Sequence, residues 1–83
     1  MSDHDTYVIR ASEDGWSLLL NGQNIGSFAR RDEAEEAARV GAEISHRNHR
    51  PVQVFVQDEV GSVQLLAKTR TGSSGELELE MLV

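Results

Sequence analysis

The chain has 83 residues, 39% of them hydrophobic, no cysteine, and a formal net charge of −6. Those figures limit it to one small domain, exclude a disulfide-stapled module or a cysteine-ligated zinc finger, and work against indiscriminate attraction to a phosphate backbone. No apolar run approaches the roughly 20 residues that a membrane-spanning helix needs, and the opening Met1-Ser2-Asp3-His4-Asp5 is acidic, unlike a signal peptide.

The first third predicts a three-stranded meander. Thr6-Tyr7-Val8-Ile9-Arg10-Ala11 is rich in β-branched and aromatic residues, and Asp14-Gly15 and Asn21-Gly22 are the favoured two-residue hairpin turns. Two-residue turns at both places set Ala11 opposite Leu18, Ile9 opposite Leu20, Leu18 opposite Ile25 and Trp16 opposite Ser27. Ile9, Ala11, Trp16, Leu18, Leu20 and Ile25 then share one face, and Val8, Leu19 and Phe28 fall on the other.

A helix follows from about Arg31 to His49. Ala34, Ala37, Ala38, Gly41 and Ile44 recur at helical spacing, with acids crowding the first turns, Arg47 and Arg50 at the end, and Pro51 as the stop. The stripe is made of small residues, so the helix can lie close to a sheet. Close packing is also the reason to keep Gly41, which costs about 1 kcal/mol relative to alanine inside a helix.

Val52 to Gln57 alternates as a half-buried strand does, and Asp58-Glu59-Val60-Gly61 reads as a four-residue loop into a closing strand. That register pairs Val56 with Val63, Val54 with Leu65 and Val52 with Ala67. The expected fold is α+β, a ββ(β)αββ two-layer domain with one helix on an antiparallel sheet, over residues 1–70. Residues 71–83 form a linker, Thr71 to Gly75, and a strand-like tail whose Leu77, Leu79, Met81 and Val83 would share one side. Three readings of the tail stay open: a frayed end, a strand added to its own or a neighbour's sheet, and a peptide that docks elsewhere by strand addition.

Tyr7-Val8-Ile9, Asp14-Gly15-Trp16, the helix start Glu33-Ala34-Glu35-Glu36-Ala37-Ala38 and the valine-rich strand leading to Gly61 together resemble a family of small bacterial proteins catalogued as domain of unknown function 2188. The resemblance covers Thr6 to Ala67. It departs at the helix start, where Arg30 and Arg31 stand in place of the usual Thr-Lys, and the tail lies outside it. It implies a bacterial cytosolic protein of similar fold, and supplies no activity and no catalytic residues.

The side chains with chemical potential read mostly as structural. Trp16 lies beside a turn on the apolar face, where core packing is expected. His46 and His49 have an acceptable ligand spacing on the helix end, but no cysteine or carboxylate pair completes a metal set. The chain shows no nucleophile elbow, phosphate loop or zinc-protease motif. A non-enzyme with no cofactor and no metal is therefore expected. The leading expectation is a protein-interaction module that forms a homodimer, with Leu19, Phe28 and Phe55 on the second sheet face and Leu77, Leu79 and Met81 on the tail as interface candidates. The rival is a nucleic-acid-binding regulator using Arg30, Arg31, Arg47 and Arg50. The meander offers that rival only Arg10 as an exposed base.

Overall fold

The computed structural model describes residues 4–72 and 74–82. Its elements are β1 (Asp5–Ser12), β2 (Gly15–Leu20), β3 (Gln23–Phe28), α1 (Arg31–Arg47), β4 (Val52–Gln57), β5 (Val63–Thr71) and β6 (Leu77–Met81). One helix packs on a six-stranded sheet of order β3-β2-β1-β4-β5-β6. The two-layer α+β expectation holds, and the purely antiparallel sheet does not: β1 and β4 pair in parallel at the centre, while the other four pairs are antiparallel. The reason is directional. A three-stranded meander ends with the chain running as it began, the helix carries it back, and the next strand enters beside β1 in the direction of β1. The tail supplies the sixth strand. Thr71, expected in a linker, is the last residue of β5, and the connection is a tight turn in which the Gly72 N–H donates to Glu76 O at 2.7 Å.

The first hairpin turns on Glu13 and Asp14, one residue earlier than expected, so Ala11 faces Trp16, Ile9 faces Leu18 and Tyr7 faces Leu20. This is a slip of two positions. Side chains alternate with period two, so every residue keeps its predicted face. Gly15 opens β2 with φ 139°, and a Cβ there would sit 2.3 Å from the Phe28 carbonyl oxygen, which reserves the position for glycine. The second turn is as expected, with positive φ at both Asn21 and Gly22.

Two β-bulges overturn the remaining registers. In β3, Leu19 faces Asn24 but Leu18 faces Gly26, leaving Ile25 as the extra residue, half exposed rather than in the core. The Asn24 side chain accepts from the Gly26 N–H at 3.0 Å and holds this kink. Beyond it the faces invert: Trp16 pairs with Phe28, and Phe28 packs on the helix-side core. In the last hairpin the loop has five residues, Asp58 to Ser62. Its extra length is fixed by the Asp58 carboxylate, which accepts from the N–H groups of Val60 and Ser62 at 3.1 and 2.9 Å. Val54 faces Ala67, Phe55 faces Leu65 and Gln57 faces Val63, so Leu66 is the bulged residue and enters the core, while Val63 and Leu65 move to the other face.

The helix lies close to the sheet on a stripe of alanines. Ala34, Ala38 and Ala42 are fully buried and Ser45 nearly so. Gly41 approaches Tyr7 so closely that a Cβ would lie 2.7 Å from its hydroxyl, which accounts for the glycine. Ile44, expected on this stripe, is half exposed, because Ser45 takes the buried position at the helix end. Arg30 occupies the N-cap without a side-chain capping bond, and the Asp32 carboxylate accepts from the Glu33 N–H instead.

The C-terminus stops before Pro51 acts. The Arg50 N–H donates to Ser45 O and the His49 N–H to His46 O, a Schellman closure with His49 at φ 60°. Glycine is the residue best suited to that left-handed position. His49→Gly is expected to raise stability by about 0.5–1 kcal/mol in urea denaturation. A loss of stability would instead assign the His49 side chain a structural contact.

Candidate interaction surfaces

All described strands lie in one sheet and α1 covers one side of it, so among the described residues no layer of the chain lies upon the opposite face. The register sets a single row across that face: Leu19 beside Val8, Val8 beside Phe55, Phe55 beside Leu65. Val63, 61% exposed, stands one step further along β5. Polar positions flank the row. Arg10, Ser17 and Gln57 lie on one side, and Thr6, Gln53 and Lys68 on the other. Leu19 and Phe55 are therefore brought together, as expected, with Val8 between them. Leu65 and Val63 were placed in the core by sequence reasoning. The signal that could have moved them is Asp58, a residue suited to capping a longer loop.

The other interface candidates lie elsewhere. Phe28 is on the helix side, packed with Trp16 against the core, so it belongs to no second-face patch. Trp16 itself is half-buried and carries the Arg31 guanidinium 5.8 Å from its ring centroid. Leu77, Leu79 and Met81 face the helix side of β6, where Leu79 packs on the core and Met81 is half exposed. Helix and outer strands enclose a cleft of about 200 Å³ there, with a floor of Val54, Leu66, Ala67 and Met81 under a charged wall of Asp32, Glu35, Glu36 and Arg39.

The four arginines of the nucleic-acid reading do not converge. Arg30 and Arg31 sit at the start of α1 and Arg47 at its end, 16 residues on and thus about 24 Å away. Arg30 pairs with Asp32 at 3.1 Å and Arg31 with Glu35 at 2.6 Å. Arg39 bridges Glu36 and Glu43 along the helix. It holds the Glu36 carboxyl below the usual carboxylate range through its hydrogen bond and charge, and its own pKa is raised by the same partner. Arg70 on the open face spans Glu78 and Glu80 at 3.2 Å each.

Arg50 has a structural task. Its Nε and Nη2 reach the two Asp5 oxygens at 3.1 and 2.9 Å, the Ser45 hydroxyl donates to the same carboxylate at 2.7 Å, and the Tyr7 hydroxyl lies 3.4 Å from Ser45 Oγ. The node joins the start of β1, the end of α1 and the entry to β4. These hydrogen bonds, led by Arg50, hold the Asp5 carboxyl down to about 2. Sequence reasoning placed Arg50 on the helix dipole and missed this carboxylate, which lies 45 positions away in the chain.

Glu43, His46, His49 and Glu76 border a shallow depression between the helix end and the β5–β6 turn. Among the described residues no group of three or more His, Asp or Glu side chains is placed to hold a metal ion, and no helix is long and apolar enough to cross a membrane. The chain matches no family model, no curated protein sequence and no solved structure.

Proposed function

We propose that this protein is a small, non-catalytic cytoplasmic interaction module that self-associates by packing its helix-free sheet faces together. The observation that carries the reading is the row Leu19–Val8–Phe55–Leu65 on a face that no element among the described residues covers. The row is self-complementary. A two-fold axis parallel to the strands, between β1 and β4, lays Val8 over Phe55 of a second copy and Leu19 over Leu65. The same axis puts Arg10 over Gln57 and Thr6 over Gln53, so no charge meets its like. Aligned sheets pack in this manner at about 30°. Kinship with the domain-of-unknown-function family rests on the segments around Tyr7, Trp16 and Glu33 and belongs to the same proposal; it adds no activity.

Light scattering on a sizing column tests the reading. At about 100 μM, a concentration suited to an interface of modest area, the chain is expected to elute at twice its 9.2 kDa mass. Phe55→Glu is expected to return it to a monomer that melts within a few degrees of the parent. A wild-type monomer at that concentration overturns the proposal.

A further inference from the structure

The sheet has two outer edges, and they differ. β3 is kinked at Ile25 and carries no charge from Gln23 to Phe28. β6 pairs with β5 in an unbroken register, Ala67 with Met81 through Thr71 with Leu77. The bonds at its two ends fix which backbone groups point where. Gly72 donates to Glu76 O at 2.7 Å, and Leu82 donates to Leu66 O at 2.8 Å. Hydrogen-bonded and open pairs alternate in an antiparallel ladder. Glu76, Glu78, Glu80 and Leu82 therefore turn their N–H and C=O toward β5, and Leu77, Leu79 and Met81 turn theirs to the outside. The outside row is a template for another strand.

Side chains on this edge restrict what can join it. Glu78 and Glu80 stand on the helix-free face, while Leu77, Leu79 and Met81 stand on the helix side. A second copy of β6 would bring glutamates directly opposite glutamates, which is unfavourable in any register that keeps leucine beside leucine. Both acids already share Arg70, on the β5 side. A strand arriving from outside meets the carboxylates first, with Arg70 one strand further away. It also meets the half-exposed Met81 side chain on its other face.

We propose that the β6 edge is a strand-addition site for a partner segment in which basic and apolar residues alternate. Main-chain bonds to Leu77, Leu79 and Met81 supply affinity, the basic side chains lie beside Glu78 and Glu80, and the apolar ones extend the Leu77–Leu79–Met81 surface. The acids at the same time keep the module from polymerising edge to edge. The outward backbone row of β6 is distinct from the Leu19–Val8–Phe55–Leu65 row assigned to self-association, although Glu78 and Glu80 stand on the same helix-free face, and peptide binding and solution mass report on the two separately.

The probe is a fluorescent, end-blocked peptide of about seven residues alternating lysine and valine, titrated by anisotropy at low salt. It is expected to bind with a Kd of about 10–100 μM, typical of a short added strand. An alternating glutamate–valine peptide, and a peptide with its lysines and valines in separate blocks, are expected to bind at least about tenfold more weakly. Leu77→Pro combined with Met81→Pro deletes two outward N–H groups and no β5 bond, and is expected to weaken binding about tenfold. Since two prolines could loosen β6, amide exchange in the unaltered chain is a second readout: the N–H groups of Leu77, Leu79 and Met81 are expected to slow when the peptide is added. Equal binding of the alternating and blocked lysine peptides, or unchanged exchange at those three amides, would reduce the contact to general attraction toward an acidic protein and overturn the proposal.

Discussion

Ala38→Leu is expected to cost about 3 kcal/mol and to lower the melting temperature by roughly 10–20 °C. Ala34, Ala38 and Ala42 have no exposure at all, and Gly41 lets the helix close on the Tyr7 ring. Three added carbons at the fully buried Ala38 have no space to enter, so either α1 lifts from the sheet or the core side chains beneath it leave their rotamers. Lifting the helix also separates Ser45 from Asp5. A domain of this size holds only about 4–12 kcal/mol in total, so the variant sits near the edge of folding. Thermal unfolding followed by circular dichroism decides it. A melting temperature within about 3 °C of the parent would show that the helix rides higher than the alanine stripe implies.

Asp5→Ala is expected to destabilise by about 2–3 kcal/mol in urea denaturation, because it leaves Arg50 and Ser45 facing a gap at the junction of β1, α1 and β4. Acid supplies an independent measure. The carboxyl is at about 2 in the folded protein against an ordinary 3.8. A depressed folded value means the unfolded state binds the proton first, so the contribution is complete above about pH 4 and is lost as pH falls toward 2. With screening at the half-exposed Arg50, the shift corresponds to about 1–2 kcal/mol. Stability of the parent should therefore drop between pH 4 and pH 2 by that much more than stability of Asp5→Ala. Parallel pH profiles for the two proteins would remove the node from the stability of the fold.

Much of this architecture was legible because period-two alternation is robust to error. The first turn was placed one residue late, yet Ile9, Ala11, Trp16 and Leu18 kept their faces, since a two-position slip preserves parity. A bulge does not preserve it. One extra residue at Ile25 moved Phe28 from the second face into the core, and one extra residue in the β4–β5 loop moved Val63 and Leu65 from the core to the second face, before the bulge at Leu66 returned Ala67 to the core. Both extra residues are tied to polar side chains bonding to nearby backbone, Asn24 at the β3 bulge and Asp58 in the β4–β5 loop, and such bonds leave no hydrophobic periodicity to read. The interface row was thus half visible. Leu19, Val8 and Phe55 followed from alternation, whereas Leu65 depended on a loop one residue longer than its turn signal suggested. The Asp5–Arg50 pair was invisible for another reason: it needs β1 and β4 to be neighbours, and that adjacency is a property of the whole topology.

The same central adjacency governs the order in which the molecule can assemble. Tyr7 and Val54 are partners 47 positions apart, whereas Tyr7 and Leu20 are 13 apart. As the chain leaves the ribosome, the β1–β2–β3 meander and then α1 can form by local closure, but β1 gains its second neighbour only when residues 52–57 have emerged. Until then the innermost strand of the finished sheet is an unprotected rim bearing Tyr7, Val8 and Ile9, and the last-made half of the chain is what shields the first.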